Sequence, residues 1–271
     1  MPMIASMVLI LQKQDKIDYC KIYPYFVHGW IYSKIRQTEV GQYYHEAEKS
    51  PFAIKRIVQD KRDELSIQVI FFDYRILLEF YRSLIVGEKM RLGARYYLIE
   101  HCAIHPEKHP DARMMSYESF LQLPISSKFQ MKFKQTAFNH DHKTIVLPIP
   151  ENIVGSIFRK WNDFSGLPLT SDHDAEMVRK LASGMLISSH NIGTELYYIR
   201  TDIKLTTFSG RVVIENIHHD LHLKQHLNTL LYFSNYSGIG WKCAYGMGSI
   251  EVTPMAEKHA DLMASKKVFS S

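Results

Sequence analysis

The sequence predicts an α+β protein built from two tandem βαββαβ units, and three observations carry that reading. The chain has 271 residues, longer than one average domain and short for three. Short apolar runs with strand-like alternation exchange with helical periodicities in the same order in each half. Near the C-terminus a helical segment runs into a glycine-dense turn and then a last short strand.

Residues 4–12 open the first unit. Val8-Leu9-Ile10-Leu11 reads as a buried strand, because the stretch around it lacks the basic start and small-residue cleavage site of a leader. Residues 25–35 follow as a helix entered through Pro24, with Phe26, Trp30 and Ile31 at helical spacing. Residues 52–58 and 65–72 are a strand pair joined by the charged turn 59–64. Residues 74–85 give a second helix with Ile76, Leu77, Phe80, Leu84 and Ile85 on one side. Residues 96–104 close the unit ahead of Pro106. This order is the split βαβ of a ferredoxin-like, RRM-like fold.

The second unit repeats it. Residues 129–138 alternate as a strand, with 144–149 as its hairpin partner. A helix at 153–161 has Glu151 near its N-terminus, where a negative charge is favoured. Strands at 195–201 and 207–217 lead to a helix at 221–233 that Asp220 caps. Residues 248–253 are the last strand, and 175–185 add a further helical piece. The expected boundaries are an N-terminal domain at 1–116, a linker at 117–127 around Pro124, a C-terminal domain at 128–255 and a polar tail at 256–271.

Composition is that of an ordinary globular protein, 46% hydrophobic and 23% charged, with a net charge of +5 from 33 basic and 28 acidic residues. That mild basic bias permits a polyanionic partner without demanding one. Cys20, Cys102 and Cys243 stand far apart, so CxxC zinc sites and redox dithiols are excluded, and so sparse a count suits a reducing compartment. No run approaches the ~18 apolar residues that span a bilayer. The expectation is a cytoplasmic protein with no membrane partner.

The run Ser237-Gly-Ile-Gly-Trp-Lys-Cys-Ala-Tyr-Gly-Met-Gly248 is the sharpest motif. Glycine lets backbone take positive φ and approach a ligand closely, successive N–H groups of such a loop can form an anion nest, and Lys242 adds a charge. Walker A is excluded, since Met247 and Gly248 follow Gly246 where Lys and Ser or Thr belong. The dinucleotide pattern fails because Cys243 stands where its third glycine belongs, and because this loop follows a helix and enters a strand. The competing reading is a glycine-rich turn packed between domains.

At this loop the chain resembles a family. Gly238, Gly240, Lys242, Gly246 and Gly248 match the C-terminal glycine-rich signature of RAMP proteins, most similar to the stand-alone repeat-processing endoribonucleases of CRISPR systems. The stretch Thr207-Phe-Ser-Gly210 is similar to the family's Phe-x-Gly ahead of a strand, and the N-terminal Gly29-Trp-Ile-Tyr32 extends the resemblance. It implies two ferredoxin-like domains and a metal-independent endoribonuclease that needs no cofactor and cuts precursor CRISPR RNA within its repeats. CRISPR repeat RNA or crRNA is the expected partner, with a CRISPR effector complex and a homodimer as candidate assemblies.

Such an enzyme uses the 2′-OH of RNA as nucleophile, and needs a base for that hydroxyl, an acid for the 5′-oxygen and a cation for the phosphorane. The resemblance assigns these to Tyr32, to His45 in Tyr43-Tyr44-His45-Glu46, and to Lys49, with Lys55 as a second candidate for the cation. His28 competes with His45, because other members place a histidine on the first helix. In such a reading the glycine loop with Trp241 and Lys242 holds the RNA phosphates, and Arg200, Lys204 and Arg211, in or between the C-domain strands, are further expected contacts.

The remaining histidines carry less. His222 and His226 have the i,i+4 spacing of a zinc pair, but the apolar positions Leu223, Leu227, Leu230 and Leu231 turn both toward solvent. His101, His105 and His109 are separated by Pro106 and Pro110, which break a helix between them. No metal site is expected. Two other readings stay open: a non-catalytic RAMP subunit that binds crRNA in an interference complex, and a general RNA-binding module, against which the absent RNP1 pattern counts.

Overall fold

The computed structural model describes residues 2–14, 21–59, 64–169 and 174–256. Cys20, most of the turn at 59–64 and nearly all of the tail at 256–271 lie outside them. The first half runs β1 (Met3–Lys13), α1 (Pro24–Ile35), α2 (Glu39–Glu46), β2 (Phe52–Gln59), β3 (Glu64–Phe71), α3 (Tyr74–Arg82), β4 (Lys89–Leu92), β5 (Arg95–Ala103), β6 (Arg113–Ser116) and α4 (Tyr117–Leu121). The second runs β7 (Lys128–Thr136), β8 (Phe138–His140), β9 (Lys143–Ile145), α5 (Pro150–Phe164), α6 (Asp174–Ser183), β10 (Met185–Arg200), β11 (Ile203–Asn216), α7 (Leu221–Ser237), a 3₁₀ turn at Cys243–Tyr245 and β12 (Ser249–Pro254).

This is a mixed α+β arrangement with two main antiparallel sheets and a small β8-β9 hairpin among the described residues, consistent with a double ferredoxin-like fold. The N-terminal sheet has the order β2-β3-β1-β5-β4, with β6 paired to β1, and the C-terminal sheet the order β10-β11-β7-β12. Central β1 is buried along most of its length, as a strand covered on both faces must be. No helix among the described residues is long and apolar enough to cross a membrane.

Several local expectations are corrected. The helix expected over 74–85 ends at Arg82, and Ile85 is 66% exposed; Asp73 caps its start by accepting from Arg75 N at 2.8 Å. The hairpin partner expected at 144–149 is the short β9, which pairs with β8 rather than with the main sheet. Left-handed backbone at Gln135 (φ 50°) breaks the ladder one residue before β7 ends at Thr136. The strand expected at 195–201 is the end of a much longer one, for β10 pairs with β11 from Met185 onward. The segment expected as a linker contains α4, whose Tyr117 and Phe120 are buried.

Leu9, Val27, Ile31, Ile54, Ile67, Leu77 and Ile99 form a core within the first half, and the two halves share a second one. Ile4, Ala53, Ile70 and Phe72 of the first pack in one cluster with Phe158, Trp161, Leu230 and Phe233 of the second. Tyr117 sits at the centre, its ring 5.5 Å from Trp161 and 5.7 Å from Phe233, its hydroxyl donating to Phe72 O at 2.9 Å. Lys55 ties the halves again, donating to the carbonyls of Asn235 and Ile250.

Candidate active site

Helix α1 places the first candidates. Pro24 sits in its first turn, where a missing N–H costs nothing, and Val27, Ile31 and Ile35 bury one stripe. The same phase leaves His28 half-buried and Tyr32 beside it, one turn on. A second helix, α2, carries His45 in its last turn. Thr38 caps it by accepting from Gly41 N, and Tyr44 anchors it through a 2.7 Å hydrogen bond to Asp73.

The side chains meet as a run of rings. Tyr245, from the 3₁₀ turn of the glycine loop, stacks on His28 with centroids 4.0 Å apart and planes 16° from parallel. His28 lies nearly parallel to Tyr32 at 5.8 Å, and Tyr32 meets His45 edge-on, also at 5.8 Å. Phe52 of β2 backs His28 at 5.5 Å. Burial, reinforced by the Lys242 charge, lowers the His28 pKa to about 4, so its imidazole is neutral at physiological pH. Burial also raises the Tyr32 and Tyr245 hydroxyls above the usual phenol value, keeping both protonated.

His28, Tyr32 and His45 therefore come together. Lys49 does not join them, because its ammonium pairs with Asp163 of α5 at 2.6 Å. Lys55 is buried in the interdomain contact, which lowers its pKa to about 8. Lys242 lies beside the rings, its Nζ 4.4 Å from the Trp241 centroid and 5.3 Å from that of Tyr245, and Arg36 acts on Tyr32 from the end of α1. Sequence reasoning missed Tyr245 as part of this group. It stands directly before Gly246 in the motif, and that adjacency was the only local signal.

The glycine loop has left-handed backbone at Gly238, Gly240, Gly246 and Gly248, as its composition requires. The expected N–H nest is corrected. Ile239 N donates to Gly248 O, Gly240 N to Ser156 Oγ, Trp241 N to Ala137 O and Gly248 N to Gln135 O, so these donors hold the loop onto its own domain. Lys160 adds bonds to Ser237 O and Gly238 O, both at 3.0 Å. A β-carbon on Gly248 would lie 1.9 Å from Ile239 O, and one on Gly240 2.4 Å from Ala137 O. Those glycines admit backbone rather than phosphate. What the loop presents to solvent is partly exposed Trp241, Lys242 and Tyr245.

The outlying candidates fall elsewhere. Arg200 pairs with Asp202 and lies over the Tyr25 ring of α1, 5.1 Å from its centroid. Lys204 and Arg211 are exposed on β11. His222 is exposed, but His226 is half-buried rather than turned to solvent, and desolvation lowers its pKa. Among the described residues no group of three or more His, Cys, Asp or Glu is disposed to hold a metal ion.

Residues 131–250 match the family model of the CRISPR-associated endoribonuclease Cas6. A Thermus thermophilus Cas6 is similar in structure, with a TM-score of 0.72 at 22% identity over 93% of this chain and 99% of that one. The product complex of the same protein gives 0.80 at 22% over 93% and 100%. A substrate mimic complex of another Cas6 gives 0.75 at 21% identity, again over 93% and 100%. At these identities the structural likeness is one of fold. No curated protein matches the sequence.

Proposed function

We propose that this chain, a member of the CRISPR-associated endoribonuclease Cas6 family within the RAMP superfamily, cuts precursor CRISPR RNA inside its repeats by attack of the substrate's own 2′-OH. In this reading the two halves are tandem ferredoxin-like βαββαβ units, supported by the matching strand orders of the two sheets. The observation that carries the chemistry is the run of rings from Tyr245 through His28 and Tyr32 to His45, where the first helix meets the glycine loop.

The roles follow from protonation. His45 is exposed and accepts the 2′-OH proton as general base. The 2′-oxygen bonds to phosphorus, the bond from phosphorus to the 5′-oxygen breaks, and that oxygen takes a proton from Tyr32. Tyr32 carries the proton that the acid role requires, since desolvation keeps its phenol protonated before the reaction. His28 is a positioning residue: neutral, and stacked between Tyr245 and Tyr32, it fixes the tyrosine ring against His45. The products are a 2′,3′-cyclic phosphate and a 5′-hydroxyl.

Replacing the 2′-OH at the nucleotide 5′ of the cut by hydrogen tests the mechanism. Cleavage should stop while binding survives, since one hydroxyl among many phosphate contacts contributes ~1 kcal/mol. Activity should persist in EDTA, because the nucleophile is the RNA's own hydroxyl. A protein that cuts the deoxy substrate and leaves a 5′-phosphate does not work this way.

A further inference from the structure

We infer that Lys242 is a catalytic residue and supplies, in place of Lys49, the positive charge that stabilises the scissile phosphate as the 2′-oxygen adds to it. The inference rests on the reading that the chain cuts RNA at the His28–Tyr32–His45 cluster, and it goes beyond assigning the glycine loop to RNA binding.

Position comes first. Lys242 leads directly into the 3₁₀ turn at Cys243–Tyr245, and Tyr245 is the ring stacked on His28. Its ammonium is close enough to His28 to depress protonation of the imidazole. The turn belongs to the second half of the chain and α1 to the first, so the charge is delivered to the cluster from across the domain junction.

The second observation is how Lys242 is held. Its backbone has φ 55°, a left-handed conformation rare for a residue with a side chain. Its carbonyl accepts from Tyr245 N at 2.8 Å, and Trp241 N on its other side is fixed to Ala137 O at 2.8 Å. Strain of this kind persists where the surroundings over-determine it, and it clusters at functional positions. The ammonium rests over two aromatic faces, with no ion pair to a carboxylate among the described residues. Lys49, by contrast, is neutralised by Asp163.

A lysine braced by ring faces keeps its full charge for an arriving anion. As the 2′-oxygen bonds to phosphorus, negative charge grows on the two non-bridging oxygens, and a fixed cation there stabilises the transition state more than the bound substrate. Lys242 transfers no proton; those moves remain with His45 and Tyr32.

Single-turnover cleavage of repeat RNA at saturating protein tests the assignment. Lys242→Met should lose roughly 10²–10³-fold in the saturated rate, and Lys242→Arg should recover part of it. Lys242→Gly suits φ 55° and relieves the backbone, yet it should lose the same rate as Lys242→Met. A phosphorothioate at one non-bridging oxygen of the scissile phosphate should slow the wild type and slow Lys242→Met much less. A residue that only binds RNA would shift half-saturation and leave the saturated rate and the sulfur effect intact. Observing that for both Lys242→Met and Lys242→Gly overturns the inference while the cleavage reading stands. A wild type that leaves the repeat uncut removes the cleavage reading, and this inference with it.

Discussion

His28 and His45 lie within one aromatic run but in different surroundings, and that difference separates their roles. Buried between rings and beside Lys242, His28 resists protonation. His45 is open to solvent at the end of α2. We expect His45→Ala to slow cleavage by roughly 10² or more with little change in repeat affinity. Single-turnover rates and filter binding check both halves of that statement. For His28 the expectation concerns stability. Its folded pKa of about 4 lies below the unfolded value of 6.5, so between those values the unfolded chain binds more protons. The His28 contribution is complete above pH 6.5 and is lost as pH falls toward 4. Urea midpoints at pH 7 and pH 5 should show a smaller acid loss in His28→Gln than in the wild type; equal losses would place the acid sensitivity in other groups.

Among the elements, β1, β2, β3, α1, α3, α5 and α7 fall close to where the sequence puts them. Others were missed for separate reasons. β10 crosses Ser188-Ser-His-Asn-Ile-Gly-Thr-Glu195 with hardly a buried side chain, so nothing alternates there. Helix α2 is announced only by Thr38 as cap and Glu39 in the first turn, signals available in the sequence but not weighed. The site was half legible. The resemblance marked His28, Tyr32 and His45, whereas the approach of Tyr245 and Lys242 is a contact between distant segments that no local spacing encodes. The glycine loop gives this scale its prediction. Gly248→Val, at φ 69° and against Ile239 O, should lose on the order of 1–3 kcal/mol from backbone strain and more from the clash. Gly193→Val, on exposed β10 with nothing within 4 Å of its added carbon, should leave stability unchanged or slightly raised. Thermal midpoints of the two variants would rank them, and similar losses would mean that the loop tolerates side chains.

For the whole molecule, the decisive feature is that the first half, besides its own core, gives part of its sheet to a core shared with the second. A fragment ending at residue 116 would expose Ile4, Ala53, Ile70 and Phe72, which in the full chain lie against α5 and α7. It should therefore bind hydrophobic dyes and melt well below the full chain, which unfolds in one transition seen alike by circular dichroism and tryptophan fluorescence. A 1–116 fragment that binds no dye and melts as high as the full chain would contradict this.

That shared core also has a consequence for how the protein is made. A ribosome delivers Phe72 long before Trp161 and longer still before Phe233, the partners that cover its side of the first sheet. At elongation rates of about 5–20 residues per second, the sheet waits roughly ten to thirty seconds with that face bare. The nascent chain is thus most exposed to chaperones and to aggregation midway through synthesis. Slowing translation between codons 120 and 230 should lower the soluble yield more than slowing it before codon 70.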